Sequence, residues 1–353
     1  MPSARWLLAL VPVSLVVGHV YPERHVLVFV TSVLAVLPLA GLIGQATEVL
    51  AGRLGPGIGG LLNATFGNAA ELIIGALALR AGLFDLVKAS LTGSIIGNVL
   101  LVFGAAALAG GIRRPVQRFN KTAAGLGTTM LLLSAVGLTV PAVFHRLTLG
   151  PHAIELQLDT WIAVVLLATY GLSLVFTLVT HRDLYGTSDH DGPEAGPPTP
   201  IGKWVIVLLV ATAAVALVSE HLVGAVSEAA KQVGMTELFV GVVVVALVGN
   251  AAEHFSAVTM AMDDHMDVAL AIAVGSSTQI ALFVGPILVL LSYLIAPTPM
   301  DLRFTTFELV AIGISVFTVS FIAHDGETNW LEGVQLLAVY AILALGFYFL
   351  PPG

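Results

Sequence analysis

Two glutamates, Glu71 and Glu253, occur in near-copies of one segment, Gly67-Asn68-Ala69-Ala70-Glu71 and Gly249-Asn250-Ala251-Ala252-Glu253. Each copy lies inside a long apolar run that reads as membrane-spanning. An ionisable side chain at bilayer depth costs roughly 2.5–3.5 kcal/mol or more, so its presence there points to a function. On a helix, Asn68 and Glu71 stand three positions apart and share a face, as do Asn250 and Glu253. Gly67 and Gly249 permit either close helix approach or a local break, and a break frees backbone carbonyls such as those of Ala64 and Ala246. Two further pairs, Ser94 with Asn98 and Ser276 with Gln279, have i,i+4 and i,i+3 spacings in later apolar runs. The inventory is two carboxylates, four amides, two hydroxyls and some backbone oxygens.

That set suits a hard divalent cation. Ca²⁺ takes about 6–8 oxygen ligands at roughly 2.3–2.6 Å in an adaptable shell, and two carboxylates would neutralise its charge. Mg²⁺ fits less well, because it dehydrates reluctantly and demands a stricter octahedron. Without cysteine, any metal must be held by oxygen or imidazole. When the cation leaves, two facing carboxylates in a low-dielectric cavity cannot both stay ionised cheaply, and they take up protons. One pair can thus carry Ca²⁺ one way and protons the other.

Plainer readings explain part of this pattern. Small residues at such spacing pack membrane helices together, which accounts for the Gly and Ala but for neither Asn nor Glu. Ser94 and Ser276 could bond to their own helix backbones, whereas the amides of Asn98 and Gln279 need partners in hydrocarbon. His254 either tunes Glu253 or packs. Asp263, Asp264, His265 and Asp267 form a loop cluster read as solvated surface, with cation attraction to an entrance as the alternative. His190 and Asp191 read as part of a flexible solvated loop.

The elements that must position these residues follow from composition. Of 353 residues, 57% are hydrophobic and only 10% charged, more apolar surface than a soluble fold could bury. The chain reads as an all-α integral membrane protein whose environment is the lipid bilayer. Its net charge of −8 argues against nucleic acid as a partner. No small-x-small cleavage site precedes Tyr21-Pro22, so the first apolar stretch reads as a retained helix rather than a secretory signal. Eleven transmembrane spans of about twenty residues are expected near 6–20, 26–47, 57–80, 86–110, 122–144, 158–180, 203–225, 236–261, 267–295, 304–323 and 333–350. The Pro/Gly-rich acidic stretch 181–202 reads as a linker between two transmembrane halves, 25–180 and 203–353, with 1–24 as an extra N-terminal helix. Lys and Arg collect on the side of the N-terminus, chiefly through Arg113, Arg114, Arg118 and Lys121, which predicts a cytoplasmic N-terminus and linker and an external C-terminus.

Shifting the chain by 182 residues, from Gly67 to Gly249, superposes the two pentapeptides. The same shift brings Asp85 onto Asp267 and Gly93-Ser94 onto Gly275-Ser276. Thr47-Glu48 and Ser227-Glu228 correspond only with small gaps. The copies fall in the third and eighth spans, five crossings apart, so they run in opposite directions. The expected fold is one helix plus a 5+5 inverted-topology repeat, with the site near mid-membrane where the halves meet.

The run Gly60-Leu61-Leu62-Asn63-Ala64-Thr65-Phe66-Gly67-Asn68-Ala69-Ala70-Glu71-Leu72-Ile73 resembles the first signature repeat of the cation/proton exchanger (CAX) family. Val248-Gly249-Asn250-Ala251-Ala252-Glu253-His254, continued by Gly275-Ser276-Ser277-Thr278-Gln279, resembles the second. The resemblance covers most of the chain and implies a Ca²⁺/H⁺ antiporter of the calcium/cation antiporter superfamily with eleven helices and no cofactor. By that resemblance Glu71 and Glu253 bind cation and proton in turn, Asn68 and Asn250 assist, and Ser94, Ser276 and Gln279 line the pathway. Glu48 then matches a carboxylate assisting cation or proton access; Glu228 is its counterpart through the weak match, and His254 also fits the family pattern. A prokaryotic-type plasma membrane is the expected location, and a homo-oligomer is compatible with the sequence. The linker is shorter and less acidic than the acidic helix of some members.

Three other readings compete. A sodium-coupled calcium exchanger of the same superfamily typically places Ser, Thr and Pro before the first Glu, where this chain has Ala69-Ala70 and Ala251-Ala252. A proton-coupled Na⁺ or K⁺ antiporter would share the carboxylate pair. A passive cation channel would share paired acids but would not require matched, inverted sites. An enzyme is not expected, since neither a nucleophile with its base nor an HExxH metal motif is present.

Overall fold

In this structure, a computed structural model, residues 5–147, 152–181 and 200–351 are described. They form α1 (Trp6–Val20), α2 (His25–Phe66), α3 (Ala69–Arg80), α4 (Phe84–Gly111), α5 (Lys121–Leu147), α6 (Ile154–Thr180), α7 (Ile201–Gln232), α8 (Glu237–Gly249), α9 (Ala251–Met262), α10 (Met266–Ile295), α11 (Thr306–Ile322) and α12 (Trp330–Phe349). A backbone in lipid must satisfy its own polar groups, and helices do so within each segment. Seven of these helices are long and apolar enough to cross a membrane, and α8 with α9 makes an eighth if that bent pair is one span. Large apolar side chains such as Trp161, Leu172, Leu294, Phe317 and Phe321 stand on the outside of the bundle, where lipid rather than water suits them. Residues 182–199, most of the expected linker, lie outside the described residues.

Spans at 26–47 and 57–80 are expected, and helical backbone extends from His25 to Phe66. It is not straight: a Cβ on Gly59 would overlap the Ala51 backbone, which on a straight helix would be about 12 Å away, so the chain turns sharply between Ala51 and Gly59. A further break, at Gly67-Asn68, falls inside the expected 57–80 span.

The 182-residue register visible in the sequence is also present in the backbone. Asn68 (φ −104°, ψ 22°) and Asn250 (φ −92°, ψ 8°) both leave helical geometry, and α8 and α9 are bent 62° apart at the latter. Fourteen residues further on, a left-handed residue closes each following helix: Gly82 (φ 75°), with Leu83 N–H bonded to the Ala78 carbonyl at 2.9 Å, and Asp264 (φ 71°), with His265 N–H bonded to the Met260 carbonyl at 2.9 Å. Both are Schellman closures, and aspartate is among the few residues other than glycine that enter that region readily. A widened π-helical stretch follows in each copy, Gly97–Val102 within α4 and Ile280–Val284 within α10.

Polar ties hold both ends of this core. Near the start of α4, Lys88 bridges Asp85 (3.3 Å) and Asp301 (3.2 Å). Close by, His145 lies 3.1 Å from Glu155 and 3.3 Å from Asp159, which also accepts the Leu302 N–H at 3.1 Å. Beyond the other end of α4, Arg114 pairs with Asp264 at 3.0 Å, and the two-residue strands β1 (Gln117–Arg118) and β2 (Glu327–Thr328) pair antiparallel. Asp264 of the 263–267 acidic cluster is therefore engaged in an ion pair.

Candidate cation site

The two chain breaks face α4 and α10. Asn68 and Asn250 occupy the N-cap positions of α3 and α9, with Glu71 and Glu253 in the respective first turns. Of the two readings that Gly67 and Gly249 permit, close approach or a local break, the backbone shows a break in both copies. An N-cap Asn normally turns its side chain onto the helix's own N–H groups, but here neither does so. Their amides are directed to the opposite half.

Asn68 Nδ2 donates to Gln279 Oε1 at 2.6 Å. Asn250 Nδ2 donates to Ser94 Oγ at 2.9 Å and to the Ala246 carbonyl at 2.9 Å. Asn98 Nδ2 donates to Asn250 Oδ1 at 3.2 Å and to Ser276 Oγ at 3.0 Å. Ser276 donates to Glu253 Oε2 and stands 3.4 Å from Asn250 Oδ1. His254 Nε2 lies 3.3 Å from Asn98 Oδ1. Asn68, Ser94, Asn98, Asn250 and Ser276 are all buried, where a polar side chain without partners would cost about 1–3 kcal/mol. Each is therefore held by contacts that cross between the halves.

Glu71 borders a pocket of about 10 Å³, room for one atom-sized guest, lined also by Ile74, Ser90, Ser94, Val245, Ala246 and Gly249. Its Oε2 is buried without a hydrogen-bond partner. A buried carboxylate oxygen with an open pocket beside it is a place for a proton or a cation. Carboxylate and amide carbonyl oxygens are the ligands that a hard divalent cation takes.

Other expected contributors are placed differently. The Ala246 carbonyl is not free, since it accepts both the Asn250 side chain and its N–H at 3.3 Å. Ala64 lies in α2 one turn before the first break. Glu48 is exposed on α2 and is not drawn into the cluster; it lies one turn beyond Gly44, where an added methyl would sit 3.7 Å from Ala252. Glu228 is exposed and pairs with Lys231 one turn along α7 at 2.9 Å, so this local ion pair rather than the site occupies it. One contributor, Ser90, went unnamed at the level of sequence. Ser90 lines the Glu71 pocket, and its position four residues before Ser94 on α4 was the available signal. Gly249, where the sequence permits close approach or a break, packs directly on Glu71, so that a larger residue there would have to displace the carboxylate.

Comparison with known proteins gives a consistent result. The family described as sodium/calcium exchanger protein matches residues 24–179 and 203–349. A Ca²⁺/H⁺ antiporter of Synechocystis sp. is 48% identical over 340 residues, covering 92% of this chain and 91% of that protein. One from Aphanothece halophytica is 44% identical over 359 residues, covering 98% and 96%. The solved structure of native YfkE superposes with a TM-score of 0.84 at 41% identity, covering 97% of this chain and 98% of that one.

Proposed function

The chain belongs to the sodium/calcium exchanger protein family, and from that premise we propose that it is a secondary active antiporter exchanging Ca²⁺ for H⁺ by alternating access. The observation that carries the proposal is the carboxylate pair, Glu71 and Glu253, set beside chain breaks in an apolar bundle and surrounded by amides bonded across the halves. Relatives named Ca²⁺/H⁺ antiporter, similar over nearly their whole length, support it. Glu71 and Glu253 hold Ca²⁺ as their charges converge and hold protons when it leaves. Ser276 and Ser94 offer hydroxyl oxygens beside them, while Asn68, Asn250 and Gln279 keep the two halves in register.

The finer architecture belongs to the same proposal. Eleven spans, one extra helix and two inverted sets of five, accommodate α1 to α12 when α8 and α9 form one crossing and α2 with α3 forms two. The recurrence of break, left-handed closure and π-helical stretch at one sequence spacing favours the repeat. A cytoplasmic N-terminus and linker, with the chain in a prokaryotic-type plasma membrane, follows from the arginine and lysine distribution. Glu48 lies along α2 where a cation or proton would approach.

Sodium coupling is disfavoured because Ala69, Ala70, Ala251 and Ala252, next to the two glutamates, bring no side-chain oxygen. The deciding experiment is Ca²⁺ uptake into liposomes under an imposed pH gradient, with Na⁺ and K⁺ tested separately. Uptake driven by the proton gradient, and abolished in Glu71→Gln and Glu253→Gln proteins that still insert, is expected. Protons moving with Na⁺ but not Ca²⁺ would sink the calcium assignment, and Ca²⁺ flux without proton movement would favour a channel.

A further inference from the structure

Asn98 has its polarity fixed from outside. A backbone carbonyl can only accept, so the Asn250 atom 2.9 Å from the Ala246 oxygen is the amide nitrogen. That leaves Asn250 Oδ1 as an acceptor toward Asn98, which must therefore present its own nitrogen, at 3.2 Å, and direct it also to Ser276 at 3.0 Å. Asn98 Oδ1 is left facing His254 Nε2 at 3.3 Å. Since that oxygen accepts, Nε2 carries the hydrogen. One fixed carbonyl thus sets, through two amides, the tautomer and tilt of an imidazole on α9.

An independent observation comes from the repeat register. Shifted by 182 residues, His254 falls on Leu72 and Asn98 falls on Ile280. Where one half of the site has a polar pair in contact, the other has two apolar residues. Ser94 and Ser276, or Asn68 and Asn250, by contrast, are identical across the shift. His254 and Asn98 have departed from the repeat together, as expected if each satisfies the other. Exchanging one alone leaves the other without this partner, whereas once Asn98, which also donates to Asn250 and Ser276, has been exchanged, the further exchange of His254 removes no additional bond between the two.

We propose that Asn98 is a positioning residue: it relays the orientation set at the Ala246 carbonyl to His254 and so makes the Glu253 half of the site chemically unlike the Glu71 half. Its consequence for transport rests on the exchanger reading; the imidazole geometry does not.

The test has two arms. Nitrogen-15 NMR of histidine-labelled protein, with the His254 signal identified by its loss in His254→Gln, should show the Nε2–H form in the native protein. In Asn98→Ile that signal should split or change tautomer. Asn98→Asp, close in shape and still an acceptor, should keep the Nε2–H form with a displaced resonance. An unmoved His254 signal in either Asn98 variant overturns the proposal. In transport, Asn98→Ile should lower the maximal Ca²⁺ rate about tenfold. Adding His254→Leu should cost no more than the worse single variant, because neighbours acting as a unit are non-additive; multiplied losses overturn the proposal. A native protein that fails to exchange Ca²⁺ for H⁺ at all defeats the exchanger reading and leaves the spectroscopic arm to decide this one.

Discussion

Gly249 lies against Glu71 so closely that a methyl group on its Cα would stand 2.8 Å from the Glu71 carboxylate oxygen. The second copy of the repeated pentapeptide thus forms part of the wall around the glutamate of the first. Gly249→Ala should push that carboxylate aside without unfolding the bundle. The expected result is an apparent KM for Ca²⁺ raised by about tenfold, equivalent to roughly 1.4 kcal/mol, with little change in thermal midpoint. An unaltered KM would mean that the carboxylate position beside Gly249 is not the one that binds.

Protons and Ca²⁺ are predicted to compete, because the same two carboxylates serve both. Lowering the pH on the loading side protonates them and weakens Ca²⁺ binding, so the apparent KM rises as pH falls while the rate at saturating Ca²⁺ holds. By linkage, one proton released per Ca²⁺ gives a limiting slope of about tenfold per pH unit and two give about a hundredfold. Uptake kinetics across a pH series measure that slope, and a flat profile contradicts a shared site.

The register mates Gly93 and Gly275 should respond oppositely to alanine. A Cβ at Gly93 would overlap the Val242 backbone, standing 2.5 Å from its carbonyl carbon, whereas one at Gly275 meets nothing within 4 Å. Backbone cannot step aside as a side-chain tip can, so Gly93→Ala should lose about 1–3 kcal/mol of stability. Gly275→Ala should melt like the native protein. Thermal unfolding in detergent compares the two, and equal midpoints would refute the close crossing of α4 and α8.

Buried and surface carboxylates should likewise separate. Asp159→Ala strips acceptors from both His145 and the Leu302 N–H, leaving a buried donor unpaired at a cost of about 1–3 kcal/mol. Glu228→Ala removes only an exposed partner of Lys231 and should leave the melting curve unchanged. If the two variants melt alike, the ties between α5, α6 and the segment before α11 contribute little.

The polar residues that meet between the halves were legible in the sequence wherever the repeat preserved them. Glu71 and Glu253 with their asparagines and serines were readable because two copies of an improbable polar pattern sat in apolar runs. The wiring was less legible, since hydrogen-bond partners lie in the opposite half and spacing within one half carries no record of them. That Asn68 meets Gln279 while Asn98 meets Asn250, Ser276 and His254 depends on how four helices cross. The break at Gly67-Asn68 falls inside an expected span for a local reason: glycine in an apolar run permits either close helix approach or a break, and composition does not choose between them.

Around the carboxylates, four amides, those of Asn68, Asn98, Asn250 and Gln279, bind one half of the bundle to the other, with the hydroxyls of Ser94 and Ser276 as partners and His254 as an imidazole among them. An amide neither gains nor loses a proton at any pH a cell meets. The site therefore assigns its variable charges to one set of residues and its fastenings to another. Each turnover can rewrite the ionisation of Glu71 and Glu253 while the amides and hydroxyls that align them remain insensitive to acid and base.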